Sequence, residues 1–196
     1  MPSIPAYFAL QANPEADPEC VVEAGSARFS ILTPRLIRLE FSPGRHFTNQ
    51  PSQVFWQRRM PLPNFYVRRE TDEIEIETEK LCLRYRPELG FQPQGLQIEL
   101  KDSGLLWQLG DPPRENLGGT VRTLDMRDGP VPLDPGLLSR LGWTLVDDSR
   151  SLLFNQAGWL ELRPVEAGAK DLYFFGYGLD YDACLRDFFQ VSGPVP

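Results

Sequence analysis

The sequence predicts a mainly β protein: an antiparallel β-sandwich followed by one amphipathic helix at the C-terminal end. Two observations predict this class. Short runs in which apolar and polar residues alternate recur along the chain, separated by Gly, Pro, Asp and Ser. One stretch alone, after Asp180, repeats its apolar residues at convincing helical spacing. A chain of 196 residues is also long enough to bury the core of a single sandwich.

The predicted strands are short and are bounded by turn residues. At 36–41, for instance, Arg38 and Glu40 lie on the face opposite to Ile37 and Leu39, the period-2 pattern of a strand. Strands are predicted, in chain order, at 20–24, 27–32, 36–41, 65–70, 74–78, 81–85, 96–100, 105–107, 143–146, 152–154, 159–163 and 172–175.

Two segments differ from this pattern. Residues 110–142 carry many Gly, Pro and Asp residues without a sustained period, which predicts a long loop, and long ordered loops are usually functional or packed on a neighbour. After Asp180, a predicted N-cap, the apolar residues form a stripe that Gly193 ends. We therefore divide the chain into a sandwich at 1–178 and a helix with linker at 179–196.

Composition excludes several classes of partner. The net charge is −7 and the pI about 4.8, so nucleic acid and anionic membranes are disfavoured as partners. No apolar run approaches the roughly 20 residues of a membrane helix, and no secretory signal is visible. The arginine pairs at 58–59 and 68–69 are the densest basic groups, and we favour a solvated edge over a binding patch for them.

The cysteine and histidine counts argue against redox and metal chemistry. Three widely spaced cysteines make a disulfide framework improbable, and Cys82 and Cys184 lie in apolar patterns that predict burial. A single histidine, His46, cannot build a multi-histidine metal site. The sequence thus predicts a reduced, cytoplasmic protein with no metal and no cofactor.

Four stretches, in the correct order, resemble motifs at the start of family 31 glycoside hydrolases, the α-glucosidase and α-xylosidase type. They are IRLEFSP at 37–43, NLGGTVRTLD at 116–125, LLSRLGW at 137–143 with VDDS at 146–149, and DLYFFGYG at 171–178 with Asp180 and Tyr181 after it. The resemblance implies a galactose-mutarotase-like sandwich that packs on its own (β/α)8 catalytic barrel. It also implies that the chain is cut off just before that barrel.

The resemblance further implies what this domain does and does not supply. Family members hydrolyse α-linked glycosides and oligosaccharides with retention, using two aspartates that both belong to the barrel. No catalytic residue is therefore expected among these 196 residues, and the fragment alone is expected to be inactive. The loop at 118–142 is expected to reach the barrel mouth, where Arg127 and Asp128 match a pair that contacts sugar hydroxyls in some members.

Several alternative interpretations stay open. Asp125 and Asp128 resemble a catalytic pair, but acids three residues apart in a Gly/Pro-rich loop are more often turn formers. We interpret 147–149 as a turn in the same way, and the aromatic residues of 173–177 as packing. A free-standing carbohydrate-binding sandwich would need an exposed aromatic platform, for which Trp56 is the tryptophan expected to be most exposed. A mutarotase-like epimerase would need more histidines than His46, and a purely structural domain would differ only in that its loop touches no substrate.

Overall fold

Two five-stranded antiparallel sheets form the framework of the protein, in a computed structural model that describes residues 11–120, 125–126 and 128–193. The first sheet has the strand order β1-β2-β3-β12-β9 and the second β4-β5-β6-β7-β8, while β10 and β11 form a separate hairpin. The strands are β1 (Val21–Ala24), β2 (Ala27–Thr33), β3 (Leu36–Phe41), β4 (Phe65–Arg69), β5 (Ile74–Thr78), β6 (Leu81–Tyr85), β7 (Leu96–Leu100), β8 (Leu105–Gln108), β9 (Trp143–Asp147), β10 (Leu153–Phe154), β11 (Leu160–Glu161) and β12 (Lys170–Gly176). The predicted fold class is confirmed.

The two sheets bury one core between them. Alternate residues of each strand point inward, as at β5, where Ile74 and Ile76 are buried. Phe29 of β2 meets Tyr85 of β6 edge to face, with ring centroids 5.2 Å apart, a geometry that aromatic pairs favour. This core explains why the alternating pattern in the sequence predicted the strands correctly.

A second core lies on the other face of the first sheet. It joins Leu36, Tyr173 and Phe175 of that sheet to Phe55 and to the C-terminal helix. The first sheet is therefore buried on both faces, whereas the second sheet is buried on one. The sequence did not predict this difference, and it has consequences for the charged residues of β3 and β12.

The helix α1 (Tyr181–Ser192) begins and ends where the sequence predicts. The Asp180 carboxylate accepts a hydrogen bond from the backbone N–H of Ala183 (3.2 Å), and Gly193 at φ 78° ends the helix. Its apolar stripe is only partly buried against the sandwich: Cys184 is buried, whereas Leu185 is 36% and Phe189 55% exposed. Among the described residues, no helix combines the length and the apolar character that a membrane span requires.

The three cysteines lie in three different parts of this arrangement. Cys20 precedes β1, Cys82 belongs to the second sheet and Cys184 to α1; all three are buried and none forms a disulfide. Burial raises the pKa of the Cys82 thiol to about 11 and that of Cys184 to about 12. Cys82 and Cys184 thus behave as small buried apolar residues, as the sequence predicts.

Candidate functional site

The long loop after β8 is closed by a neck, which we define as residues 114–120 and 134–140. Four backbone hydrogen bonds cross it: Leu117 N to Leu138 O (2.9 Å), Gly119 N to Asp134 O (2.7 Å), Asp134 N to Thr120 O (3.3 Å) and Arg140 N to Glu115 O (2.9 Å). The loop is therefore tied off near its base and is not an open connection.

Glycines allow the two sides of the neck to approach closely. A Cβ at Gly136 would lie 2.4 Å from the carbonyl oxygen of Gly118, a distance that no side chain tolerates. Gly118 itself has φ +80°, in the left-handed region that favours glycine. The Gly-Gly pair at 118–119 thus allows the two chain segments to pack closely.

Just after the neck, the chain contacts the segment that precedes α1. The backbone N–H of Gly178 donates to the carbonyl of Gly142 (2.9 Å). A Cβ at Gly142 would lie 2.6 Å from the Cα of Gly178, so the two backbones are in direct contact. Because Asp180 caps α1 two residues later, the loop base and the helix start share one corner of the molecule.

The two predicted sugar-contact residues fare differently. The Asp128 carboxylate is exposed, and no hydrogen bond or ion pair joins it to the described part of the chain. Arg127 lies outside the described residues. Asp125 is also exposed but has an interaction partner. Both the catalytic-pair and the turn interpretation of Asp125 and Asp128 remain sequence-based.

Sequence reasoning missed a buried network of charges on the outer face of the first sheet. The Arg38 guanidinium donates to both carboxylate oxygens of Asp171 (Nε to Oδ1 2.8 Å, Nη2 to Oδ2 2.7 Å) and lies 3.1 Å from Glu40. Arg163 donates to the same Asp171 from the other side (2.9 Å). Arg28 donates to both oxygens of Glu40 (2.7 and 2.8 Å). Charge-assisted, bidentate contacts of this kind are the strong ones.

The electrostatics of the network fit this geometry. Burial alone would raise the pKa of Asp171, but the charges of Arg38, Arg58 and Arg163 lower it to about 2. Asp148, bonded to Ser52 (3.1 Å) and Arg163 (3.1 Å), has a raised pKa because burial and the neighbouring Asp171 charge outweigh its favourable contacts. Because the network is covered, we assign it a structural role and not a binding one.

One sequence expectation is wrong at this network. Arg58 was expected at a solvated edge, yet it is 1% exposed and donates to the Tyr173 hydroxyl (2.6 Å) and to the carbonyls of Pro14 and Gln50 (both 2.9 Å). Its neighbour Arg59 and the pair at 68–69 are exposed, as expected. Arg58 is buried because the segment that carries it folds over the sheet, where β12 presents the Tyr173 hydroxyl.

The turn at 147–149 combines the expected structure with an unexpected one. The Asp147 carboxylate accepts from the backbone N–H of Ser149 (2.9 Å), the local bonding typical of a turn. Asp148 instead points into the network and is fully buried. The turn interpretation is confirmed for Asp147, whereas the Asp148 side chain belongs to the buried network.

The aromatic residues mostly pack, as predicted. Tyr173, Phe174, Phe175 and Tyr177 are buried. The expectation for Trp56 is wrong: its ring packs against Phe154 (centroids 5.8 Å apart) and covers the backbone at 193, and Trp159 at 43% is the more exposed tryptophan.

Comparisons with known proteins place the chain only loosely. No family model matches the sequence, and no curated protein matches it. Among solved structures, the chain is similar to part of a GH31 dextranase from Flavobacterium johnsoniae, both in a mutant complexed with isomaltotriose and in a form complexed with glucose. In each case the identity is 15% and the TM-score 0.48, and the match covers 88% of this chain and 26% of that chain. The present chain thus spans about a quarter of the length of the dextranase, and no shared activity follows from similarity at this level.

Proposed function

We propose that this chain is the N-terminal domain of a retaining α-glycosidase of family 31, non-catalytic in itself, which packs on a catalytic barrel and lends its loop to the substrate pocket. The sequence motifs suggest the family. The observation that carries the role is the neck, which turns a long Gly- and Pro-rich segment into a tied arm that carries an exposed carboxylate at Asp128.

The chemistry of the loop suits a neutral, hydroxyl-dense ligand. An ionised carboxylate accepts hydrogen bonds from adjacent sugar hydroxyls, and an adjacent guanidinium donates to their oxygens. Asp128 and Arg127 supply one group of each kind. A pocket edge that bonds a particular hydroxyl rejects analogues without it, because the protein group is then left unpaired. The pair would thereby contribute to selectivity among α-linked glucosides and related sugars.

The exposed side of α1 suits the proposed packing on a barrel. Leu185 and Phe189 are partly exposed, and Leu179 just before the helix is exposed as well. Contiguous exposed apolar groups on a soluble domain mark interaction surfaces. The location of this surface beside the loop base would bring the loop to the same partner. A cytoplasmic location stays a prediction from cysteine usage.

The test uses the longer protein encoded when the reading frame is followed past Pro196. We expect Asp128→Asn to lower kcat/KM for an α-linked disaccharide by about ten- to a hundredfold, the value of a lost hydrogen bond to a charged group. Asp72→Asn, an exposed aspartate in the β4–β5 turn, is the matched control and is expected to leave kcat/KM unchanged. The 196-residue chain alone is expected to hydrolyse nothing.

Three results would contradict the proposal in different ways. A stop codon directly after Pro196 would remove the catalytic partner. An active longer enzyme in which Asp128→Asn behaves like Asp72→Asn would leave the packing role but remove the substrate contact. Millimolar or tighter binding of α-glucans by the 196-residue chain alone, measured by calorimetric titration, would favour the free-standing sugar-binding alternative.

A further inference from the structure

The side chain of Asn116 bridges the two sides of the neck. Its Oδ1 accepts from the backbone N–H of Gly118 (2.9 Å) and from that of Gly136 (2.7 Å). Its Nδ2 donates to the carbonyl of Gly136 (2.8 Å). One half-buried amide therefore engages three backbone groups on two segments that lie 20 residues apart in sequence.

The backbone pairing of the neck leaves a gap that this amide fills. Leu117 is hydrogen-bonded to Leu138, and Gly119 to Asp134. Between these two bonds the chain covers two residues on one side of the neck and four residues on the other. Gly136 lies in the middle of the longer side. Both of its backbone groups bond the Asn116 side chain where a regular ladder would use the opposite backbone.

The residue type matches the task closely. An amide offers an acceptor oxygen with two lone pairs and a donor nitrogen on the same planar group. A carboxylate would keep the two accepted bonds but would place a second oxygen against the Gly136 carbonyl. A side chain at Gly136 would collide with Gly118, so both partners of the contact are constrained.

We infer that Asn116 is the positioning residue of the loop: its side chain locks Gly118 to Gly136 and so fixes how the chain between them leaves the sandwich. This lock follows from the contacts alone. Its consequence for substrate affinity rests on the proposed function, in which Asp128 contacts the sugar.

The lock is tested first in the 196-residue chain with Asn116→Ala. We expect trypsin to cleave after Arg140, whose backbone is hydrogen-bonded across the neck, about ten- to a hundredfold faster, because two or three net hydrogen bonds are lost. Amide exchange at Gly118 and Gly136 is expected to accelerate by a similar factor. Equal cleavage and exchange rates in the variant and the parent chain would overturn the inference.

Asn155→Ala is the matched control. The Asn155 side chain accepts from the backbone N–H groups of Ala157 and Trp159 (both 3.0 Å) in the β10–β11 hairpin. The same substitution thus removes a similar local cap elsewhere in the chain. We expect it to leave cleavage after Arg140 unchanged. Equal acceleration by both variants would indicate general loosening and would overturn the specific role of Asn116.

A pH titration of Asn116→Asp distinguishes loss of the donated hydrogen bond from a general loss of structure. At neutral pH the introduced carboxylate opposes the Gly136 carbonyl, whereas below a pKa of about 4 its protonated form regains a donor. We expect the Gly136 amide resonance of Asn116→Asp to return toward the parent position as the pH falls to about 3.5. Asn116→Ala is not expected to recover over the same range. Absence of recovery in Asn116→Asp would overturn the donor role of the side chain.

In the longer enzyme, we expect Asn116→Ala to raise KM about tenfold while kcat changes less than about threefold, because the loop is displaced and the catalytic groups are not. If the neck opens in this variant but KM is unchanged, the lock stands and the proposed substrate contact fails. If the neck does not open, the lock itself is refuted, whatever the kinetics show.

Discussion

The two sheets of the sandwich contain strands with the same alternating sequence pattern, but their charged side chains differ in exposure to water. In β3 of the first sheet, Arg38 and Glu40 alternate with apolar residues, and in the second sheet Glu75 of β5 and Arg84 of β6 do the same. The Arg38 side chain is 2% exposed, however, whereas that of Arg84 is 35% exposed. Alternation therefore identifies a strand, but it does not decide whether the polar face meets water.

The difference arises from what covers each sheet. The segment between β3 and β4 folds over the first sheet, and Arg38 and Arg28 both donate to the carbonyl of Thr48 within it. Ser52 and Phe55 of the same segment are fully buried. The outer face of the second sheet carries the Glu75–Arg84–Glu99 ion pairs at the surface instead. Buried pairs are costly to break, whereas surface pairs contribute little.

The largest expected difference between the two sheets is between the variants Asp171→Asn in the first sheet and Glu99→Gln in the second. We expect Asp171→Asn to lower the free energy of unfolding by about 3–5 kcal/mol, because Arg38 and Arg163 would stay buried without their shared counter-charge. Glu99→Gln is expected to cost about 0.5 kcal/mol or less. Urea unfolding followed by tryptophan fluorescence measures both. Equal losses would show that cover does not distinguish the two sheets.

Acid is expected to destabilise the protein through the first sheet. The pKa of Asp171 is lowered to about 2 in the folded state, against about 4 unfolded. Its contribution is therefore complete above about pH 4 and is lost as the pH falls toward 2, on the order of 2 kcal/mol. Asp148 acts in the opposite sense, because its pKa is raised and protonation relieves its burial. Unfolding free energies measured from pH 5 to pH 2 are expected to fall for the parent chain and to be flatter for Asp171→Asn.

A pair of serine substitutions compares the cover with an exposed turn. Ser52 bonds Asp148 and accepts from the backbone N–H of Phe55 (2.9 Å), entirely out of contact with water. We expect Ser52→Ala to cost about 1–2 kcal/mol, since buried partners lose their hydrogen bonds. Ser103→Ala, in the exposed β7–β8 turn, is expected to cost less than about 0.5 kcal/mol. A larger loss at Ser103 than at Ser52, in thermal unfolding, would contradict the assignment of the cover.

The smallest expected effect concerns salt. Glu75 bonds Arg68 (2.8 Å) and Arg84 (3.1 Å) near the surface, so Glu75→Gln is expected to cost about 0.5–1 kcal/mol at low ionic strength. In 1 M NaCl most of this loss is expected to disappear, because the Debye length is then about 3 Å. The loss caused by Asp171→Asn is expected to persist in the same salt. Equal screening of both losses would argue against burial of the first network.

The sequence predicted the strands of both sheets, but it did not predict which sheet is covered on its outer face. Strands β3, β5, β6 and β7 begin and end at the predicted residues, because alternation and turn residues are local signals. Burial of Arg38 was missed because its partner Asp171 lies 133 residues away. One signal was present: the apolar run at 172–175 is typical of a strand buried on both faces, and a strand paired with it inherits that environment.

The candidate site shows the same limit. The loop and the exposed Asp128 were predictable, since Gly, Pro and Asp residues mark irregular surface segments. Asn116 was not singled out, because an asparagine before Leu-Gly-Gly suggests an ordinary turn. Its partner Gly136 lies on the far side of the loop, and only the folded chain brings the two together.

The contact between Gly142 and Gly178 gives the domain a mechanical property. Two backbones that touch without side chains between them transmit displacement directly, since no flexible group absorbs it. A displacement of the first turn of α1 is therefore expected to reach the base of the loop, and a displacement of the loop base is expected to reach the helix. We therefore expect the backbone at Gly142 and the backbone just before α1 to be displaced together when either one moves.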